Sequence, residues 1–173
     1  MATTFVKIAT VTVGAGGAAT IELSSIVGTY TDLCVKLSAR STATGVGTIR
    51  MKLNTDTAAN YNYRQMQGNG SSASSSTGTG ATSASNEVAL IDGSDSTSNT
   101  FSNSELYFPN YSGSAAKSWS VDSVEEENAS TAYVRLTAGN WSGTAAITAI
   151  TFTPSSGNFA QYSTATLYGI SKS

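Results

Sequence analysis

Apolar and polar positions alternate with a period of two along most of the chain. In Thr48–Leu53 (TIRMKL), Ile49, Met51 and Leu53 share one face, and Arg50 and Lys52 share the other. That is the pattern of a half-buried strand. Phe5–Val13 and Ala18–Leu23 flank the turn signal GAGG and read as an opening hairpin. Further runs follow at Tyr30–Ala39, Thr48–Leu53, Glu87–Ile91, Ser104–Phe108, Lys117–Val124, Ala132–Ala138, Ala145–Thr153 and Ser163–Ile170. No stretch carries the i, i+3, i+4 stripe of an amphipathic helix. About nine or ten strands, spaced by turn signals, predict an all-β, antiparallel β-sandwich with no significant helix. Its form is jelly-roll-like: eight core strands, with one extra N-terminal pair accounting for the surplus.

One segment breaks the pattern. Gly68–Asn86 reads GNGSSASSSTGTGATSASN, with no charge and nothing apolar larger than Ala. Ser and Gly confer flexibility, and nothing here nucleates packing. The expectation is a flexible Ser/Gly/Thr-rich loop at 68–86 inside a single domain spanning 1–173. Such a loop is either a mobile surface segment or an arm lying over a neighbouring subunit.

Composition narrows the class. The 173 residues are 39 % apolar, enough for a core, but only 12 % charged. There are 28 Ser and 25 Thr, which favours turns and strands over helices. A net charge of −2, with no basic cluster, leaves no electrostatic footprint for nucleic acid. No apolar run approaches the roughly 20 residues of a membrane span, and MATTFVKIATVTV lacks the layout of a signal peptide. These features predict neither a nucleic-acid nor a membrane partner. Cys34 is the only cysteine, so it forms no internal disulfide and by itself no zinc site. It shares a strand face with Asp32 and Lys36, opposite Leu33, Val35 and Leu37.

Reaction chemistry is sparse. Without His, the Ser–His–Asp and Cys–His arrangements are excluded. No phosphate-binding GxxxxGK[ST] motif occurs. Asp92 and Asp95, in IDGSDSTSN, depart from the calcium-loop spacing and read as a turn with solvated side chains. Asp122 and the run Glu125, Glu126, Glu127 read as a solvated strand end. The expectation is a protein that is not an enzyme, with no catalytic, cofactor-binding or metal residues. Aromatic residues in polar stretches are the better lead. Tyr61 and Tyr63 in AANYNYRQ, Tyr111 in ELYFPNYS and Trp141 in AGNWSG are candidate interface or ligand-contact residues. Ordinary packing stands beside that reading for all four, and is favoured for Tyr107, Phe108 and Trp119.

Three stretches in order carry a resemblance: SSIVGTYTDLCVKLSARS from Ser24, LNTDTAANYNYRQMQGNGS from Leu53, and NWSGTAAITAITFTPSSGNFAQYSTATLYGI from Asn140. Together they resemble jelly-roll virion surface proteins of tailed bacteriophages, which serve as capsid cement (decoration) proteins and as tail-fibre domains. The resemblance implies a homotrimer on the virion surface, made in the host bacterial cytoplasm, with the major capsid protein as partner. It implies a non-enzymatic cement role that stabilises the outer capsid lattice. The alternative it implies is a tail-fibre or receptor-binding domain contacting host surface polysaccharide. No long coiled coil or fibrous repeat precedes the first strand at Phe5, which favours the capsid over the tail.

Overall fold

The computed structural model describes residues 4–126 and 132–171. Every regular element in them is a β-strand: β1 (Phe5–Thr12), β2 (Ile21–Leu23), β3 (Asp32–Ala39), β4 (Gly47–Leu53), β5 (Tyr61–Gly68), β6 (Ala73–Ala81), β7 (Glu87–Ile91), β8 (Ser102–Phe108), β9 (Lys117–Glu125), β10 (Tyr133–Trp141), β11 (Ile150–Pro154) and β12 (Thr164–Ile170). They form an eight-stranded sheet, β1-β12-β3-β8-β9-β10-β5-β6, and a four-stranded sheet, β2-β11-β4-β7. All pairings between named strands are antiparallel.

The topology is that of a jelly roll with additions on one side. β1-β12-β3-β8 faces β2-β11-β4-β7, and the chain crosses repeatedly between the two sheets. The surplus is not an extra N-terminal pair. It is β5–β6 and β9–β10, inserted between core strands and added beyond β8 on the large sheet alone. The opening hairpin does not form either. β1 pairs with β12 and β2 with β11, so the GAGG turn carries the chain from one sheet to the other. Crossing lets both strands bury their apolar faces in one core, which a free two-stranded ribbon would leave wet.

The strand count rises to twelve because β5 and β6 escape the alternation test. The segment expected to be a structureless loop holds β6, whose residues 73–78 pair with Gly68–Tyr63 of β5. β6 lies at the sheet edge, mostly exposed, and is held by its backbone ladder and by the short hydroxyls of Ser76 and Thr77. Small hydroxyl residues suffice there, so sequence carries no apolar signal.

In β3, β4 and β8 the alternation maps directly onto the core. Leu33, Val35 and Leu37 of β3, with Leu106 and Phe108 of β8, face Ile49, Met51 and Leu53 of β4 and Phe152 of β11 across the sandwich. All of these are buried, each contributing about 1.5–3 kcal/mol against exposure.

Arg40, just beyond β3, organises the loop 94–100. Its guanidinium donates to the carbonyls of Thr97 (2.7 Å), Ser96 (2.7 Å), Thr100 (3.0 Å) and Ser94 (3.2 Å). A fork of fixed donors thus replaces regular structure in satisfying these backbone oxygens. Arg40→Ala is expected to lower local stability by ~2 kcal/mol, the scale of hydrogen bonds to a charged group. Backbone amides over 94–100 should then exchange roughly 30-fold faster, with β3 itself little changed. Unchanged exchange in that loop would contradict the role given to Arg40.

Candidate interaction surface

The outer face of the large sheet divides into two halves. Around β3, β8 and β12 it is polar and internally paired. Tyr107 donates its hydroxyl to Asp32 Oδ2 at 2.6 Å, and Lys36 Nζ meets Glu105 Oε2 at 2.6 Å. Both members of that ion pair are about half exposed, so the pair adds little stability. Cys34 lies opposite the Leu33–Val35–Leu37 face, but is buried between its cross-strand neighbours Tyr107 and Tyr168. Burial, helped by the charge of Glu105, pushes its thiol pKa up to about 11, so it stays a thiol at neutral pH.

The other half, over β9, β10, β5 and β6, is built differently. One row across the strands reads Asp122, Leu136, Met66, Ser75, and the next reads Ser120, Ala138, Arg64, Thr77. A third begins Val124, Val134, Gly68. Met66 is 69 % exposed, Leu136 60 % and Val134 59 %. The two complete rows line a groove of about 700 Å³. Asp122 flanks the apolar strip on the β9 side and Arg64 on the β5 side, and both are exposed.

This apolar strip arises because the alternation of β10 is inverted. Tyr133, Arg135, Thr137, Gly139 and Trp141 point toward the sandwich interior, while Val134 and Leu136 point out. The small sheet ends at β7, so β10 and β5 overhang it and their inner faces meet a polar layer. Gln65 shows this: it donates to the Glu87 carbonyl of β7 at 2.8 Å and accepts from Ser76 at 3.0 Å. Sequence alternation identified the strand here but gave no way to tell which face was inside. Met66, Val134 and Leu136 were therefore not singled out.

Of the two readings open for the aromatic candidates, packing holds within the chain for Tyr61, Tyr111 and Trp141. Tyr61, Tyr111 and Trp141 are buried, so their rings present no face to a sugar or a partner. Tyr61 accepts from Leu53 N at 3.0 Å and donates to the Asp56 carbonyl at 3.0 Å. Burial pushes its phenol pKa up to about 12. Tyr111 accepts from Tyr30 N and donates to the Val27 carbonyl. Each buried hydroxyl thus has the hydrogen bonds it needs. Tyr63 is half-buried, its ring against Gly78 of β6, where an added Cβ would fall 2.3 Å from Cε1. Of the packing residues, Phe108 and Trp119 are buried as expected, whereas Tyr107 is 37 % exposed.

Trp141 donates Nε1–H to Asp56 Oδ2 at 2.6 Å. Asp56 also accepts from Asn60 Nδ2 and Ala58 N, each at 2.8 Å. Partial burial raises its pKa, but these three donors outweigh that and hold it below the ordinary 3.8. A depressed carboxyl pKa stabilises the fold above pH 3.8, and the contribution is lost as pH falls through the folded value. Asp56→Asn is therefore expected to lower the melting temperature at neutral pH and to shrink its drop below about pH 4. A variant whose melting temperature follows the wild-type pH profile would contradict this.

Two carboxylates depart from the solvated reading. Asp92 and Glu125 are buried, Glu125 because it closes the inward series Lys117, Trp119, Val121, Ser123 of β9. Asp95 is exposed and accepts from Gly45 N at 2.6 Å, and Asp122 and Glu126 are exposed. Glu127 lies outside the described residues. Among the described residues, no group of three or more Cys, Asp or Glu could hold a metal ion. Compared with protein-family models, curated proteins and solved structures, the chain matches none.

Proposed function

We propose that this chain is a non-enzymatic structural protein of a tailed-bacteriophage virion, a cement protein that binds the outer capsid lattice as a homotrimer and stabilises it. The observation that carries the reading is the one-sided enlargement of the jelly roll. Four added strands widen the large sheet only, and give it an exposed apolar strip beside an uncharged edge strand. Such a surface suits contact between proteins. The three stretches that resemble phage virion proteins support the same reading. Stabilisation would come from buried area and strand-edge pairing between neighbouring subunits.

The experiment is add-back. Capsids prepared without the chain should bind the purified protein to saturation at a fixed ratio to the major capsid protein. The loaded capsids should resist heat or chelator better than bare ones. Absence of saturable binding would overturn the reading. Of the four aromatic residues named for the polysaccharide-binding alternative, Tyr61, Tyr111 and Trp141 are buried and Tyr63 is half-buried.

A further inference from the structure

We propose that three copies of this chain associate through the outer face of β9, β10 and β5, around an axis running along those strands. The inference rests on the trimeric reading above and names its contact surface.

The strip's layout is what selects a copy of the same chain. Leu136 on β10 and Met66 on β5 are directly paired neighbours, with Val134 and Ala138 on either side of Leu136 along β10. An apolar centre of this kind is costly to leave in water. Within its two complete rows the charges are of opposite sign and on opposite flanks, Asp122 on β9 and Arg64 on β5, while the exposed Glu126 lies beside Val134 at the strand end. When three such faces are turned inward around a common axis, the β5 flank of each copy meets the β9 flank of the next. Arg64 then approaches Asp122 of the neighbour at all three junctions, while Leu136 and Met66 fill the centre. A cyclic arrangement repeats one heterologous contact and closes, so no copy is left with an unmatched flank. The groove of about 700 Å³ is then filled by side chains of the other copies. β6, beyond Arg64, carries only Ser, Thr, Gly and Ala, so it adds no charge to oppose the approach.

On the other half of the face, around β3 and β8, the charges of Lys36, Glu105 and Asp32 are engaged within the chain.

The test is the solution mass of the full chain by light scattering coupled to size exclusion, at about 1–100 µM, with melting curves to verify folding. Wild type should be three times the chain mass. Leu136→Asp, at a position already exposed, should give a monomer that still unfolds in one cooperative transition, at a lower temperature than the trimer. Arg64→Glu and Asp122→Lys should each weaken the trimer at least tenfold, and the double variant should restore it. A wild-type monomer or dimer, or a trimer that survives Leu136→Asp, would overturn the proposal. A trimer indifferent to Leu136→Asp that still saturates capsids leaves the cement reading intact and refutes only this face.

Discussion

Gly139→Ala is expected to lower the melting temperature by roughly 10 °C, one of the largest effects of any single methyl in this chain. Gly139 lies on β10 directly across from Trp119 of β9. The indole lies over the glycine so closely that an added Cβ would fall 1.9 Å from Cζ2 and 2.2 Å from Cε2. Trp119 is only 2 % exposed, so the ring has nowhere to retreat without displacing the core around it. Overpacking of this kind costs about 1–3 kcal/mol, and the rigid ring places this site at the upper end. The same device recurs where Trp141 covers Gly143 and Tyr30 covers Gly169. Gly14, with nothing within 4 Å of its virtual Cβ, is the control, and its Ala variant should melt within about 2 °C of wild type. Differential scanning calorimetry of the two variants decides the matter, and equal shifts would contradict it.

Lys117→Met is expected to be comparably severe. Lys117 is 2 % exposed, at the start of β9 on its inward face. Its ammonium group donates to the carbonyls of Gly113 (2.7 Å), Ala115 and Thr144 (3.3 Å). One side chain thus satisfies three backbone oxygens of the loops at 113–116 and 142–149. Burial draws its pKa down, which measures the cost of desolvating the charge. Met keeps the apolar stem but leaves those carbonyls without a donor, at about 1–3 kcal/mol for each desolvated group. A total near 3 kcal/mol again gives roughly 10 °C. Lys36→Met removes an exposed cation from a surface pair and should cost under about 1 kcal/mol. Chemical denaturation of both variants tests the contrast, and similar midpoints would remove the special role of Lys117.

What sequence revealed, and what it concealed, follows from where each residue packs. Ile49, Met51 and Leu53 alternate because β4 has one wet face and one dry face, and such strands were legible. β6 was not, since an edge strand with two polar faces needs no apolar residue at all. Val134 and Leu136 were legible as strand residues but not as surface, because orientation depends on the small sheet stopping at β7. Tyr61 and Trp141 misled in the other direction. Each sits in a polar run, yet both are buried against Asp56, whose carbonyl takes the Tyr61 hydroxyl and whose carboxylate takes the Trp141 indole. The inserted pairs β5–β6 and β9–β10 carry both the widened sheet and the candidate surface, and only the second was visible as a pair of strands.

The central claim concerns where the protein resides, and the most direct test is its copy number in purified virions. Under the proposed virion role, quantitative mass spectrometry of the encoding phage's particles would give that number relative to the major capsid protein. The account predicts a ratio set by the capsid lattice, with copies distributed over the whole shell. A few copies per particle would contradict it and move the protein to the tail, and absence from the virion would remove the structural role altogether.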